Sequence, residues 1–218
     1  MASSDQDFVP AAGLRGLTRF YDSIITLTMR ERLFRGKLSR QVLADLPSEA
    51  RIADIGAGTG TFAISIAAAA PTVDVIGVDT DPEVLELAQA KDGAAAVTWK
   101  PGLADRLPLA DASCDRVVMS LLLHHLDAPG KRAALGEAHR VLRPGGRLHI
   151  ADWGEAQDPV MRAAFFVLQI FDGFPGTRDH VAGRLPEFVG NAGFADVERH
   201  DRLRTAWGSL ELLSAERR

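Results

Sequence analysis

One pattern narrows the folds open to this 218-residue chain more than any other. Short apolar runs alternate with helix-like runs, and the first apolar run ends in a turn with glycine at every second position. Residues 51–55 read as a buried strand, and Gly56, Gly58 and Gly60 mark the turn after it. Residues 61–70 make a small-residue helix stopped by Pro71, and 73–78 a β-branched second strand. Asp81 followed by Pro82 predicts a helix N-cap with proline at the first helical position. Residues 97–100 predict a short third strand and 114–119 a fourth. Ala134, Leu135, Ala138, Val141 and Leu142 share one face of a helix over 127–142, which Pro144-Gly145-Gly146 should end before a fifth strand at 147–151. Leu185, Phe188, Val189 and Ala192 mark another helix with Gly193 as its C′ residue, and 196–213 are left to supply two closing strands.

Strands alternating with helices over ~150 residues require a parallel sheet covered on both faces. Right-handed crossovers wind such a chain into an α/β, Rossmann-like sandwich. Ligands then sit beyond the carboxyl ends of the strands, where the strand order reverses. The loops that follow the strands are therefore where chemistry is expected.

Composition bounds the function classes. With 25 basic and 29 acidic side chains the net charge is −4, which gives no general attraction to nucleic acid or to an anionic membrane. The single cysteine, Cys114, excludes an internal disulfide framework and a multi-thiolate metal centre, and no metal is expected. Residues 1–7 lack a basic and apolar leader pattern, and no stretch approaches the ~18 apolar residues of a membrane span. The expectation is a reduced, cytoplasmic protein without stable membrane insertion. From residue 14 to 46 the pattern is helical, with Leu17, Phe20, Tyr21, Ile24 and Ile25 on one side, and Pro47 closes it. The chain thus divides into an N-terminal helical lid or substrate-binding segment, 1–46, and a main domain, 47–218.

The first strand tip reads Asp54-Ile55-Gly56-Ala57-Gly58-Thr59-Gly60. Alternate glycines permit positive φ and let the backbone approach a ligand closely, while the next helix aims its N-terminus at the same place. A dinucleotide fingerprint would put its third glycine at 61, where Thr61 stands, and the Gly-Lys-Ser/Thr of a phosphate loop is absent. Nineteen residues beyond Gly60, the second strand ends at Asp79, a carboxylate placed to accept both hydroxyls of a ribose. The third tip carries Asp105, Leu107 and Pro108, and the fourth carries His124 and His125.

Taken in order, Asp54 to Gly60, Gly77-Val78-Asp79, Asp105 with Leu107-Pro108, Asp115-Arg-Val-Val with Leu-His124-His125-Leu, and Val141-Leu-Arg-Pro-Gly-Gly146 resemble the motifs of class I S-adenosylmethionine-dependent methyltransferases. The likeness covers about residues 40 to 152 and is strongest to the branch that holds the quinone-biosynthesis and many small-molecule methyltransferases. It implies seven strands, the last two forming an antiparallel hairpin. It implies that Gly56, Gly58 and Gly60 border the methionine end of the cofactor S-adenosylmethionine, with Asp54 near its amino group. Asp79 would take the ribose hydroxyls and Asp105 the adenine amine, with Leu107 near. Ala57 stands where this branch often has cysteine.

A sulfonium methyl is already activated, so alignment of the nucleophile, worth roughly 7–11 kcal/mol, outweighs a general base at ~10²–10⁴-fold. His124 or His125 is the candidate base because imidazole titrates near neutrality, and adjacent side chains seldom face the same way. Small-molecule methyltransferases similar to this chain place a His-His pair here and an acid just past the fifth strand, which is Asp152. Substrate contacts are expected from Tyr21 and from an insertion over 153–184, whose Phe165, Phe166, Phe171 and Phe174 fit an apolar pocket or core packing equally. Arg178, Asp179 and His180 follow, placed to orient a polar end of the substrate. The function expected is methyl transfer by in-line displacement to an oxygen, nitrogen or carbon of a small, lipophilic or aromatic acceptor. The oligomeric state is open. A non-catalytic S-adenosylmethionine sensor would carry the same binding residues. A nicotinamide-dependent oxidoreductase is disfavoured by Thr61 and by the absence of a Tyr-x-x-x-Lys pair, since Tyr21 is the only tyrosine.

Overall fold

The computed structural model describes residues 30–218, apart from the side chains of residues 171 and 172. Tyr21 and the rest of the apolar stripe before residue 30 lie outside the described residues. Helix α1 (Glu31–Leu43) leads into strand β1 (Arg51–Ile55), followed by α2 (Thr61–Ala69), β2 (Asp74–Asp79), α3 (Pro82–Gln89), β3 (Val97–Pro101) and β4 (Cys114–Ser120). Then come α4 (Ala128–Val141), β5 (Leu142–Trp153), α5 (Pro159–Asp172), α6 (Phe174–Val181), α7 (Leu185–Asn191), β6 (Ala195–Arg204) and β7 (Ser209–Glu216). Single 3₁₀ turns occupy Ala94–Ala96 and Leu123–His125.

The seven strands form one sheet in the order β3-β2-β1-β4-β5-β7-β6. The first five are parallel, and β7 runs antiparallel between β5 and β6. The order reverses between β1 and β4, so the crevice for a ligand opens above that pair.

Each face of the sheet is covered because alternate strand residues are apolar on both sides. Phe34, Leu38 and Val42, four residues apart on α1, are fully buried against Ile52, Val118, Ala151 and Leu212. At about 1.5–3 kcal/mol for each fully buried side chain, this stripe seats α1 on the sheet. The opposite face packs Ala53, Val117, Leu148 and Leu213 against Leu135 and Val141 of α4 and Phe188 of α7. Asp81, Asp127 and Asp158 accept hydrogen bonds from backbone N–H groups at the starts of α3, α4 and α5, each helix with a proline in its first turn.

One expected boundary moves. The Pro144-Gly145-Gly146 turn does not separate α4 from β5; it is an irregularity inside a strand that begins at Leu142. Pairing starts at Cys114 with Leu142 and resumes at Arg116 with Arg147. Gly145, at φ 77°, lets the loop turn back, and its N–H donates to the Arg217 carbonyl at 2.6 Å. Backbone hydrogen bonds to the end of β7, which sequence patterning does not display, make this segment part of the sheet.

Candidate active site

The glycine turn after β1 stands at the switch point. Gly56, Gly58 and Gly60 have φ of 71°, 55° and 76°, a left-handed region in which a side chain is strained. A Cβ on Gly56 would lie 2.8 Å from Leu122, and one on Gly60 would run into the Trp99 ring, whereas Gly58 faces open space. Leu122 and Trp99 therefore wall the turn while its middle stays accessible. Trp99 also lies across Gly77 of β2, and its ring N–H donates to the Ala94 carbonyl at 3.1 Å.

Two carboxylates flank the turn. Asp79, at the end of β2, accepts from Gly58 N at 2.8 Å and, through its other oxygen, from Asp81 N at 3.0 Å. A carboxylate offers about four lone-pair positions, so two stay available to a ligand. Asp54 is buried, and burial, helped by the negative charge of Asp79, pushes its pKa up to about 7 against the opposing influence of Arg35. Arg35 reaches this region from α1, pairs with Glu31 at 2.5 Å, and keeps a buried Nε without a hydrogen-bond partner. Sequence reading missed Arg35, because an arginine interleaved in an amphipathic helix looks like part of a solvated face. Asp105 is exposed on its loop, while Leu107 beside it is buried and donates its N–H to Glu137 at 2.8 Å.

The tips of β4 and β5 carry a different kind of arrangement. Asp152 is fully buried. It accepts from Leu123 N at 2.8 Å, from Trp153 N at 2.7 Å, and from Nδ1 of His124 at 2.7 Å. Burial opposes its ionisation, but His124, His180 and these hydrogen bonds prevail, and Asp152 is held well below the usual carboxylate range. His124 is buried and His125 exposed, their rings 4.0 Å apart. The neighbouring His124 is the main influence that holds the His125 pKa low.

The insertion folds over this pair as α5 and α6. Phe165 is buried against Trp153, with ring centres 5.6 Å apart, whereas Phe174 is half exposed and meets Phe166 at 6.1 Å. Arg162, Phe166, Gln169, Phe174, Arg178 and Val181 line a cavity of about 220 Å³. Asp179 and His180 do not join Arg178 at its rim; both are buried. Lys131 of α4, fully buried, donates to the Gly176 carbonyl at 2.5 Å and to Asp179 at 3.3 Å. No sequence signal pointed to Lys131, which lies one turn into an otherwise ordinary helix.

A larger cavity, about 390 Å³, opens at the other end of the sheet among Gln41, Asp45, Arg116 and the 143–147 loop. Volume alone would favour it, but it faces the strand N-termini, away from the reversal of strand order and from every tip described above.

Known proteins share features with this chain in sequence and in fold. Residues 52–146 match a family described as methyltransferase domain. The demethylmenaquinone methyltransferase of Deinococcus radiodurans is 33% identical over 166 residues, covering 75% of this chain and 64% of that protein. The ubiquinone/menaquinone biosynthesis C-methyltransferase UbiE of Syntrophotalea carbinolica is 33% identical over 122 residues, covering 55% and 51%. The chain thus spans about half to two thirds of the length of these relatives. The crystal structure of the YcgJ protein from Bacillus subtilis superposes with a TM-score of 0.65 at 20% identity, over 84% of this chain and 97% of that one, a likeness of fold. Residues 52–146 thus resemble a methyltransferase domain in sequence, and the sheet as a whole matches the YcgJ protein in fold.

Proposed function

We propose that this chain binds S-adenosylmethionine across the tips of β1, β2 and β3 and transfers its methyl group to a small lipophilic or aromatic acceptor held beneath the insertion. The residues at the tips fit such a cofactor. An amino-acid end needs an anion for its ammonium and a cation for its carboxylate, and buried Asp54 with Arg35 beside it supplies both. The two remaining lone-pair positions of Asp79 match the two hydroxyls of a ribose. Asp105 and Leu107, on the loop after β3, would take the adenine. When bound, the cofactor supplies an activated methyl on a sulfonium.

The observation that carries the acceptor half is the Asp152–His124 pair at the tips of β5 and β4, next to the turn that Leu122 closes. The ionised carboxylate keeps the proton of neutral His124 on Nδ1, so Nε2 carries the basic lone pair, the arrangement a general base requires. His124 is therefore the better candidate of the two histidines, and a phenol, quinol or alcohol the acceptor that gains most from proton removal. The relatives that act on demethylmenaquinone and ubiquinone/menaquinone precursors favour an aromatic ring as the acceptor. Phe166, Phe174 and Arg178 around the insertion cavity suit an apolar ring with one polar edge. In this reading segment 1–46, through Arg35 and the stripe that includes Tyr21, acts with insertion 153–184 to choose the acceptor.

Calorimetry with S-adenosylhomocysteine and with NAD tests the cofactor half, and saturable binding of the first alone is expected. Label transfer from methyl-labelled S-adenosylmethionine to a panel of quinols, phenols, amines and alcohols tests the other half. Binding without transfer to any of them would instead favour a sensor of the cofactor.

A further inference from the structure

Helix α6 sits directly on the turn that carries the histidine pair. A Cβ on Gly176 would collide with the His124 carbonyl, so only glycine allows this approach. His180, one turn later, is fully buried, and its Nδ1 lies 2.6 Å from the Trp153 carbonyl and 3.9 Å from the near oxygen of Asp152. Because a carbonyl only accepts, Nδ1 of His180 bears the proton, and its buried Nε2 has no hydrogen-bond partner. The ring is oriented by Nδ1 alone. It meets His124 edge to face, with centres 6.2 Å apart. The backbone of Trp153 thus donates to Asp152 with its N–H and accepts from His180 with its carbonyl.

We propose that His180 is a positioning residue: it locks the Trp153 backbone and the Asp152 carboxylate against His124, so that seating of the insertion helix and alignment of the base are one event. This rests on the reading of His124 as the base, although the coupling itself can be measured without an acceptor. The groups around His180 agree. Burial, His124 and Lys131 disfavour a charge on His180, while Asp152 and the hydrogen bond to the Trp153 carbonyl favour one, and the first group prevails. A neutral ring leaves the proton that His124 acquires as the new charge facing Asp152. Lys131 of α4 ties the same helix down through the Gly176 carbonyl and Asp179, which fixes α6 where it carries His180.

The test uses the whole chain saturated with S-adenosylhomocysteine and labelled with ¹⁵N-histidine. Three variants are compared: His180→Asn, whose amide nitrogen can replace Nδ1 as donor, His180→Gln, whose amide nitrogen falls nearer the Nε2 position, and His180→Leu. The readout is exchange with water of the His124 Nδ1 proton bound to Asp152. The expected result is exchange near the wild-type rate in His180→Asn and roughly tenfold or faster exchange in His180→Gln and His180→Leu. Cofactor-product affinity should stay within about twofold in all three, since His180 touches none of the residues around the glycine turn. Equal exchange in wild type and His180→Gln would overturn the proposal, and so would equally fast exchange in the Asn and Gln variants. If His180→Leu does not fold, the Asn and Gln pair still decides. Should His124→Gln turn over acceptor at the wild-type rate, the base reading fails, while the exchange result on His180 stands or falls separately.

Discussion

The two ends of this site are built from different materials. At the proposed cofactor end, backbone does the shaping: three glycines in left-handed conformations, two strand-end carboxylates, and N–H groups that fix Asp79. At the proposed acceptor end, side chains do it: a buried carboxylate, two imidazoles and a buried lysine, gathered from α4, β5 and α6 and from the turn after β4. The first end depends on local conformation and tolerates changes elsewhere. The second depends on long-range packing, and loss of one member exposes the others to an unpaired buried charge.

The largest effect should follow removal of the charge at the centre of the second end. Asp152→Asn should lower turnover by roughly 10²–10⁴-fold and stability by about 3–5 kcal/mol, because buried donors then face a weaker acceptor. Denaturant unfolding measures the stability. The wild-type contribution is present above the unfolded carboxyl pKa and lost as the pH falls through and below it, so the variant should show a flatter acid limb. A stability loss under about 1 kcal/mol would show that the network is not held by this charge.

Gly60→Val probes the backbone end. The left-handed φ and the collision with Trp99 together predict a loss of roughly 2–5 kcal/mol, read by the same unfolding curves. Gly58→Ala, at a position with open space around it, should lose only about 1–2 kcal/mol. Equal losses at the two glycines would mean that Trp99 moves aside freely.

Asp79→Ala should weaken S-adenosylhomocysteine binding at least tenfold by calorimetry, since each hydrogen bond to a charged group is worth about 1.5–3 kcal/mol. Unchanged affinity would take Asp79 out of the site.

Asp54 gives a pH signature. An ammonium requires the ionised carboxylate, so cofactor affinity should fall by up to about tenfold per pH unit below 7, with proton release seen as a buffer-dependent binding enthalpy. The same shift acts on folding with the opposite sense. The unfolded carboxyl ionises near 3.8 and the folded one near 7, so the stability Asp54 contributes is complete below the first and gone once the pH has risen past the second. Asp54→Asn should remove both slopes. The smallest effect is expected at His125, whose exposed ring bears on no described hydrogen bond; turnover of His125→Ala should stay within about threefold of wild type.

The backbone-built end was open to a reading of the sequence, because glycines and strand-end acids act near where they sit in the chain. Asp54, Gly56, Gly58, Gly60 and Asp79 come from two successive strand tips, and alternation alone brings those tips side by side. His124 and Asp152 were also visible as tip residues, but nothing in the chain shows which imidazole turns inward. That choice follows from Gly176 lying on the turn and leaving His124 beneath α6. Phe165 and Phe174 share a helical, aromatic stretch, yet one packs into the core beside Trp153 and the other stands half exposed.

The order of strands and helices, and the glycine turn that opens the site, were determined by the sequence itself, because hydrophobic period and backbone freedom are local properties. The inward histidine, the Arg35 beside Asp54 and the lysine under α6 were decided only by tertiary structure. Each depends on segments 19 to 48 residues apart meeting, and burial, not spacing, sets the charge and the partner of every group there.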